Sequence, residues 1–260
     1  MCGTCGCNIT PGNAHLIPPR GGAGTVVEVL QDLLAGNDRM AMHNREHFDA
    51  HGVLVINLMS SPGAGKTSLL EATIVAFRNR YRIAVIEGDL DTDNDAARIR
   101  AHGVPAVQIT TGTACHLDAH LVHGALHQLP LTGLDLLFIE NVGNLVCPAS
   151  FDLGQHLNVT LLSVTEGDDK PAKYPVIFRA SDLVVLSKTD LLDVLDDFDP
   201  ARAAGALRAL GGGTPMVRTA VRRAPALGCW LDWLEQELAR PRAVLRSSSS
   251  RLAAAAASGA

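Results

Sequence analysis

The segment SSPGAGKT at residues 60–67 constrains this chain more than any other stretch. It follows an apolar run, VLVINLM at 53–59, and opens the helical pattern TSLLEATIVAFRNR at 67–80. A strand, a glycine-rich turn and a helix in that order form a phosphate-binding loop. Glycines let backbone N–H groups close around phosphate oxygens, and the helix N-terminus adds a partial positive charge. The pattern for such loops is G-x-x-x-x-G-K-[ST]. Ser60 stands where its first glycine would be, while Gly63, Gly65, Lys66 and Thr67 remain. Lys66 is therefore expected to bridge the β- and γ-phosphates and act in catalysis, and the Thr67 hydroxyl to bind Mg2+. Ala64 and Ser68 complete the cradle. A plain strand-to-helix turn is the competing interpretation, and the intact GKT weighs against it.

Six further apolar runs alternate with helical segments: 82–88, 105–111, 134–140, 159–165, 182–188 and 215–220. Uninterrupted apolar strands between helices mark a parallel sheet covered on both faces. With right-handed crossovers this predicts a doubly wound α/β P-loop NTPase domain of about seven mainly parallel strands, spanning 52–239. Residues 1–24, rich in Cys, Gly and Pro, are expected to form a flexible arm. Residues 25–51 have helical spacing interrupted at Gly36-Asn37 and form a helical lead-in. Residues 240–260 are a low-complexity tail, expected to be disordered.

In a parallel sheet all strand C-termini share one edge, where ligands bind. Asp89 and Glu140 end two of the runs, so both are candidates for the Mg2+ shell and for orienting the attacking water; Asp91, Asp93 and Asp95 are weaker ones. SKTD at 187–190 resembles the N-K-x-D guanine motif. The Asp190 carboxylate can accept from both guanine N1–H and N2–H2, a pair adenine lacks, so GTP is favoured over ATP. Lys188 would lie against the base. Ser187 in place of Asn is expected to weaken or lose one polar contact to the base or the phosphate loop. The segment 217–220 is a weaker candidate for a further base-contacting loop.

The net charge of −5 over 260 residues gives no reason to expect nucleic acid, no apolar run approaches a membrane span, and the N-terminus lacks signal-peptide features. The chain is thus expected in the cytoplasm, where thiols stay reduced and clustered cysteines indicate metal or redox chemistry. Cys2, Cys5 and Cys7 can offer three thiolates, and the α-amine of Cys2 a fourth ligand, to Ni2+ or Zn2+. A redox-reactive tail is the alternative. Cys115 and His116 follow one predicted strand and Cys147 another, all at the phosphate-loop edge, which predicts a second Ni2+ or Zn2+ site. Asp118, His120 and His123 are further ligand candidates. A helix predicted over 116–127 would align His116, His120, His123 and His127 on one face; for His123 and His127 a solvated polar face is the simpler reading. Cys229, beside Trp230, reads as core.

These residues together resemble a known family, the hydrogenase nickel-incorporation GTPase HypB. The carrying segments are MCGTCGC, NLMSSPGAGKTSLL, VIEGDLDTDNDAARI, ACHLDAH, FIENVGNLVCPASFDLG, SVTEGDDKPAKYP and LSKTDLL, and the likeness runs to about residue 238. The resemblance implies a SIMIBI-class GTPase that dimerises with nucleotide near the interface. It implies delivery of nickel to the NiFe-hydrogenase large subunit, aided by a HypA-type chaperone. It further implies a tight nickel site on Cys2, Cys5 and Cys7, a weaker nickel or zinc site on Cys115, His116 and Cys147, and a nucleotide or cross-dimer contact by Lys170. The family's S-A-x-x-G-x-G segment is replaced here by TAVRRAP at 219–225. No arginine finger is identifiable, which predicts slow intrinsic hydrolysis. Two other functions fit the same residues: a nickel or zinc buffer or sensor with a structural nucleotide, and a GTPase for another metalloenzyme such as urease.

Overall fold

The computed structural model describes residues 26–241 except Thr92 and Arg223. The predicted arm with Cys2, Cys5 and Cys7, and nearly all of the predicted tail, lie outside the described residues. The chain runs α1 (Val26–His51), β1 (Leu54–Ser60), α2 (Lys66–Phe77), β2 (Ile83–Asp89), α3 (Asn94–Ala101), β3 (Ala106–Thr110), α4 (Ala119–Leu126), β4 (Leu136–Glu140) and β5 (Leu157–Ser163). It continues through α5 (Lys170–Lys173), α6 (Pro175–Arg179), β6 (Leu183–Ser187), α7 (Pro200–Ala209), β7 (Met216–Arg218) and α8 (Gly228–Ala239).

The seven strands lie in the order β3-β2-β4-β1-β5-β6-β7, and every pairing is parallel. Each apolar run singled out in the sequence supplies one strand. β1 is buried along its whole length because helices cover both faces. Its alternate residues Leu54, Ile56 and Leu58 pack with Leu70, Ile74 and Phe77 of α2 and Trp230 and Leu234 of α8. Val55 points to the other face, among Phe48 of α1 and Val122, Ala125 and Leu126 of α4. With β1 central and the chain moving first to one side and then to the other, the phosphate loop sits at the middle of the C-terminal edge.

Three expectations are corrected. The lead-in helix does not break at Gly36-Asn37; α1 runs through both residues. Asn37 uses its side chain for tertiary bonds, donating to the Asp152 carbonyl at 2.8 Å and accepting from the Ala119 amide at 2.9 Å, instead of interrupting its own helix. The helix predicted from 116 begins at Ala119, because Asp118 adopts extended backbone and caps it, accepting from the Leu121 amide at 2.9 Å. His116 therefore precedes the helix and does not share a face with His120 and His123. Cys229 is exposed, and the core position belongs to its neighbour Trp230, whose indole N–H donates to Thr73 Oγ1 at 2.8 Å. Among the described residues no helix is long and apolar enough to cross a membrane.

Candidate nucleotide and metal site

The loop between β1 and α2 has the geometry its glycines allow. Gly65 caps α2 at φ 99° and Gly63 sits at φ 75°, both in the left-handed region that disfavours a Cβ. The loop after β4 passes directly beneath it. A Cβ on Gly143 would stand 2.8 Å from the Pro62 Cα, so only glycine permits this approach. Lys66 and Thr67 open α2 and are buried. The Lys66 ammonium donates to Ser60 Oγ at 3.2 Å and lies 3.7 Å from a Glu140 oxygen, which also accepts from the Thr67 hydroxyl at 3.0 Å. Ser61 donates to Glu166 at 2.8 Å, and burial raises the Glu166 pKa.

Glu140 meets the expectation of an acid facing the phosphate loop, and it is the carboxylate that touches Thr67. Burial raises its pKa, opposed by Lys66 and the hydrogen bonds from Glu87 and Thr67. Asp89 ends β2 half-buried, and its Oδ1 accepts from the Leu90 amide at 2.7 Å. The sequence reading missed Glu87. It is the strand partner of Glu140 across β2 and β4 and is almost fully buried. Burial and the adjacent Glu140 charge push its pKa far above the usual carboxylate range, so it is a neutral acid at pH 7. A carboxylate inside an otherwise apolar strand was the available signal. One oxygen each of Glu87 and Glu140 is buried with no hydrogen-bond partner among the described residues. The orphaned Glu140 oxygen, on the carboxylate that touches the Thr67 hydroxyl, suits Mg2+.

At the base side, Lys188 adopts φ 57° and its ammonium donates to the Gly63 carbonyl at 2.8 Å. Ser187 keeps a polar contact with the phosphate loop. Its hydroxyl donates to the Ala64 carbonyl at 2.7 Å. The Thr189 amide and hydroxyl both reach the Thr219 carbonyl, at 3.1 and 3.0 Å, which fastens the 217–220 segment to SKTD. Asp190 remains partly exposed in a short turn. Lys170 opens α5 with its ammonium 5.2 Å above the Tyr174 ring.

Cys115, His116 and Cys147 come together, one ligand atom from each lying within 4.8 Å of the others. The Cys115 sulfur is 3.8 Å from His116 Nδ1. The His116 ring is fully buried and stacks on Phe151 at 4.0 Å between centroids. Burial holds its pKa down at about 4, so the imidazole is neutral, the form that ligates. Its Nε2 is buried without a partner among the described residues. Two thiolates and an imidazole suit Ni2+ or Zn2+. The same loop is bonded to the phosphate edge. Asn141, next to Glu140, accepts from the Leu117 amide at 3.1 Å, one residue beyond His116. Asp118 spends an oxygen on its cap, and His123 gathers instead with His43 and His47.

Residues 54–217 match the family described as cobW: CobW/HypB/UreG, nucleotide-binding domain. The chain is 52% identical over 227 residues to the hydrogenase maturation factor HypB of Azotobacter vinelandii, covering 87% of this chain and 74% of that one. In structure it is similar to HypB from Helicobacter pylori in complex with nickel, with TM-score 0.75 and 41% identity, covering 78% and 95% of the two chains. It is likewise similar to the hydrogenase maturation factor HypB from Archaeoglobus fulgidus, with TM-score 0.73 and 38% identity, covering 79% and 100%.

Proposed function

The chain belongs to the CobW/HypB/UreG nucleotide-binding family and within it to the HypB hydrogenase maturation factors, and we propose that it is a GTP-hydrolysing nickel metallochaperone of hydrogenase assembly. GTP sits on the loop at 60–67, with Lys66 on the β- and γ-phosphates and Asp190 reading the guanine edge. Thr67 with Glu140 and Asp89 would hold Mg2+, which neutralises charge developing on the phosphates. Neutral Glu87 donates to Glu140, so that this pair carries one carboxylate charge and not two. Nickel is the cargo, held by Cys115, His116 and Cys147 and, on the arm, by Cys2, Cys5 and Cys7. The protein works in the cytoplasm as a homodimer, with Lys170 near the subunit contact. A HypA-type chaperone and the hydrogenase large subunit are its partners.

The observation that carries this reading is the Asn141 bridge. The residue after Glu140 holds the residue after His116. Any movement of the Glu140 loop on nucleotide binding is thereby passed to the metal loop, and the two affinities are linked reciprocally. The test is nickel titration of a chain lacking residues 1–7, with GDP and with a non-hydrolysable GTP analogue. The analogue is expected to change the affinity of the remaining site. Binding that ignores the nucleotide identifies a metal buffer with a structural nucleotide instead. For the chemistry, Lys66→Ala should abolish GTP hydrolysis and leave the melting transition in place. Unchanged turnover in that variant would sink the phosphate assignment.

A further inference from the structure

Outside the nucleotide edge, three imidazoles meet where α1 crosses α4. His43 and His47 lie one turn apart on α1, and α4 brings His123 to them. One ring nitrogen of each lies within 4.8 Å of the others. His43 Nε2 and His47 Nε2 stand 3.2 Å apart. Two nitrogens bound at about 2.0–2.1 Å to one ion, at tetrahedral or octahedral angles, stand about 2.8–3.4 Å apart. The α1 pair is therefore already at bidentate spacing.

The third ligand is held in the tautomer that a metal needs. Asn44 is fully buried, and its amide hydrogens are committed to the Ala119 and Leu153 carbonyls, at 2.8 and 3.1 Å. Its Oδ1 can then only accept, and it faces His123 Nδ1 at 3.0 Å. The proton of His123 is thus fixed on Nδ1, leaving the Nε2 lone pair available. Histidine ligands are commonly oriented by such a bond at the other nitrogen.

We propose that His43, His47 and His123 form a metal site for a borderline divalent ion, Ni2+ or Zn2+, separate from the cysteine sites and independent of the nucleotide. An all-imidazole set suits these ions and lacks the thiolates that would favour Cu(I) or a cluster. The two half-exposed rings and exposed His43 let the ion enter from solvent.

The test starts from the full chain with Cys2, Cys5, Cys7, Cys115 and Cys147 replaced by serine, dialysed against Ni2+ or Zn2+ alone. One equivalent should remain bound. Adding His43→Gln and His123→Gln should weaken it at least tenfold. His51→Gln, on the same helix but outside the triad, should leave it unchanged. Should the serine background fail to fold, the histidine variants are made in the unaltered chain. There the total should fall by one equivalent while the thiolate-to-nickel charge-transfer absorbance stays constant. Equal binding with and without the two histidines overturns the site. So does an equal loss on replacing His51, which would mark adventitious imidazole binding.

Discussion

The two metal-capable clusters of this protein are built on opposite plans. Cys115 and His116 follow β3 and Cys147 opens a short 3-10 turn after β4, at the C-terminal edge of the sheet, around a fully buried imidazole. His43, His47 and His123 lie on two helices, His43 exposed and the other two half-buried. Each is oriented by one buried asparagine. Asn141 ties the first to the loop that follows Glu140, and Asn44 ties the second to the start of α4 and to the Leu153 carbonyl. The difference teaches where linkage can arise. A metal held by strand-end loops would share its scaffold with the phosphate loop, whereas a metal held by helix faces would reach it only indirectly, through the Asn44 bonds to Ala119 and Leu153.

Four measurements sharpen or break that contrast. The largest effect concerns pH and the apo protein. The folded His116 imidazole titrates at about 4 and an unfolded one near 6.5, so on acidification the unfolded chain takes up the proton first. The stability contributed is complete above pH 6.5 and is lost as pH falls toward 4, on the order of 3 kcal/mol. Urea midpoints of the wild type and of His116→Phe, compared across that window, should diverge by this amount. Parallel curves would show that His116 is not buried as described.

Next, His116→Ala should weaken nickel at the loop site about 100-fold and leave binding at the helix cluster intact, measured by competition with a chelator. Loss at both places would mean that the clusters are one site. Third, Asn141→Ala should bring the ratio of nickel affinities with GDP and GTP analogue close to one, from an expected ratio of about tenfold. An undiminished ratio would move the coupling to another route. The smallest effect is expected for Glu87→Gln. A neutral acid and an amide both donate to Glu140, so the melting point should correspond to a change below about 1 kcal/mol. A large loss of stability would show that Glu87 is ionised.

Much of the nucleotide site was legible because its chemistry is local. SSPGAGKT carries its glycines, lysine and threonine within eight residues, and the flanking patterns declare the strand and the helix. The acid at Glu140 followed from the rule that parallel strands end together. Glu87 was not legible, since its significance lies in its register with Glu140 on a strand far away in sequence. The Ser187 contact with the phosphate loop was not legible for a related reason. A short hydroxyl suffices where the Ala64 carbonyl approaches to 2.7 Å, and residue identity does not report that distance.

What the sequence by itself determined is the alternation of buried strands and helices, the glycine-rich loop at 60–67, the SKTD segment and the cysteine and histidine pair near the sheet edge. These depend on periodicity and on neighbours within a few residues. Tertiary structure alone decided which faces meet. It carried α1 unbroken past Gly36-Asn37, began α4 after His116, and placed His43 and His47 against His123. Those outcomes rest on side-chain amides of Asn37, Asn44 and Asn141 bonding to backbone from 24 to 115 residues away. An asparagine alone in sequence favours turns and caps. Buried between elements it must satisfy its donors and acceptor wherever partners stand, and only the folded chain supplies them.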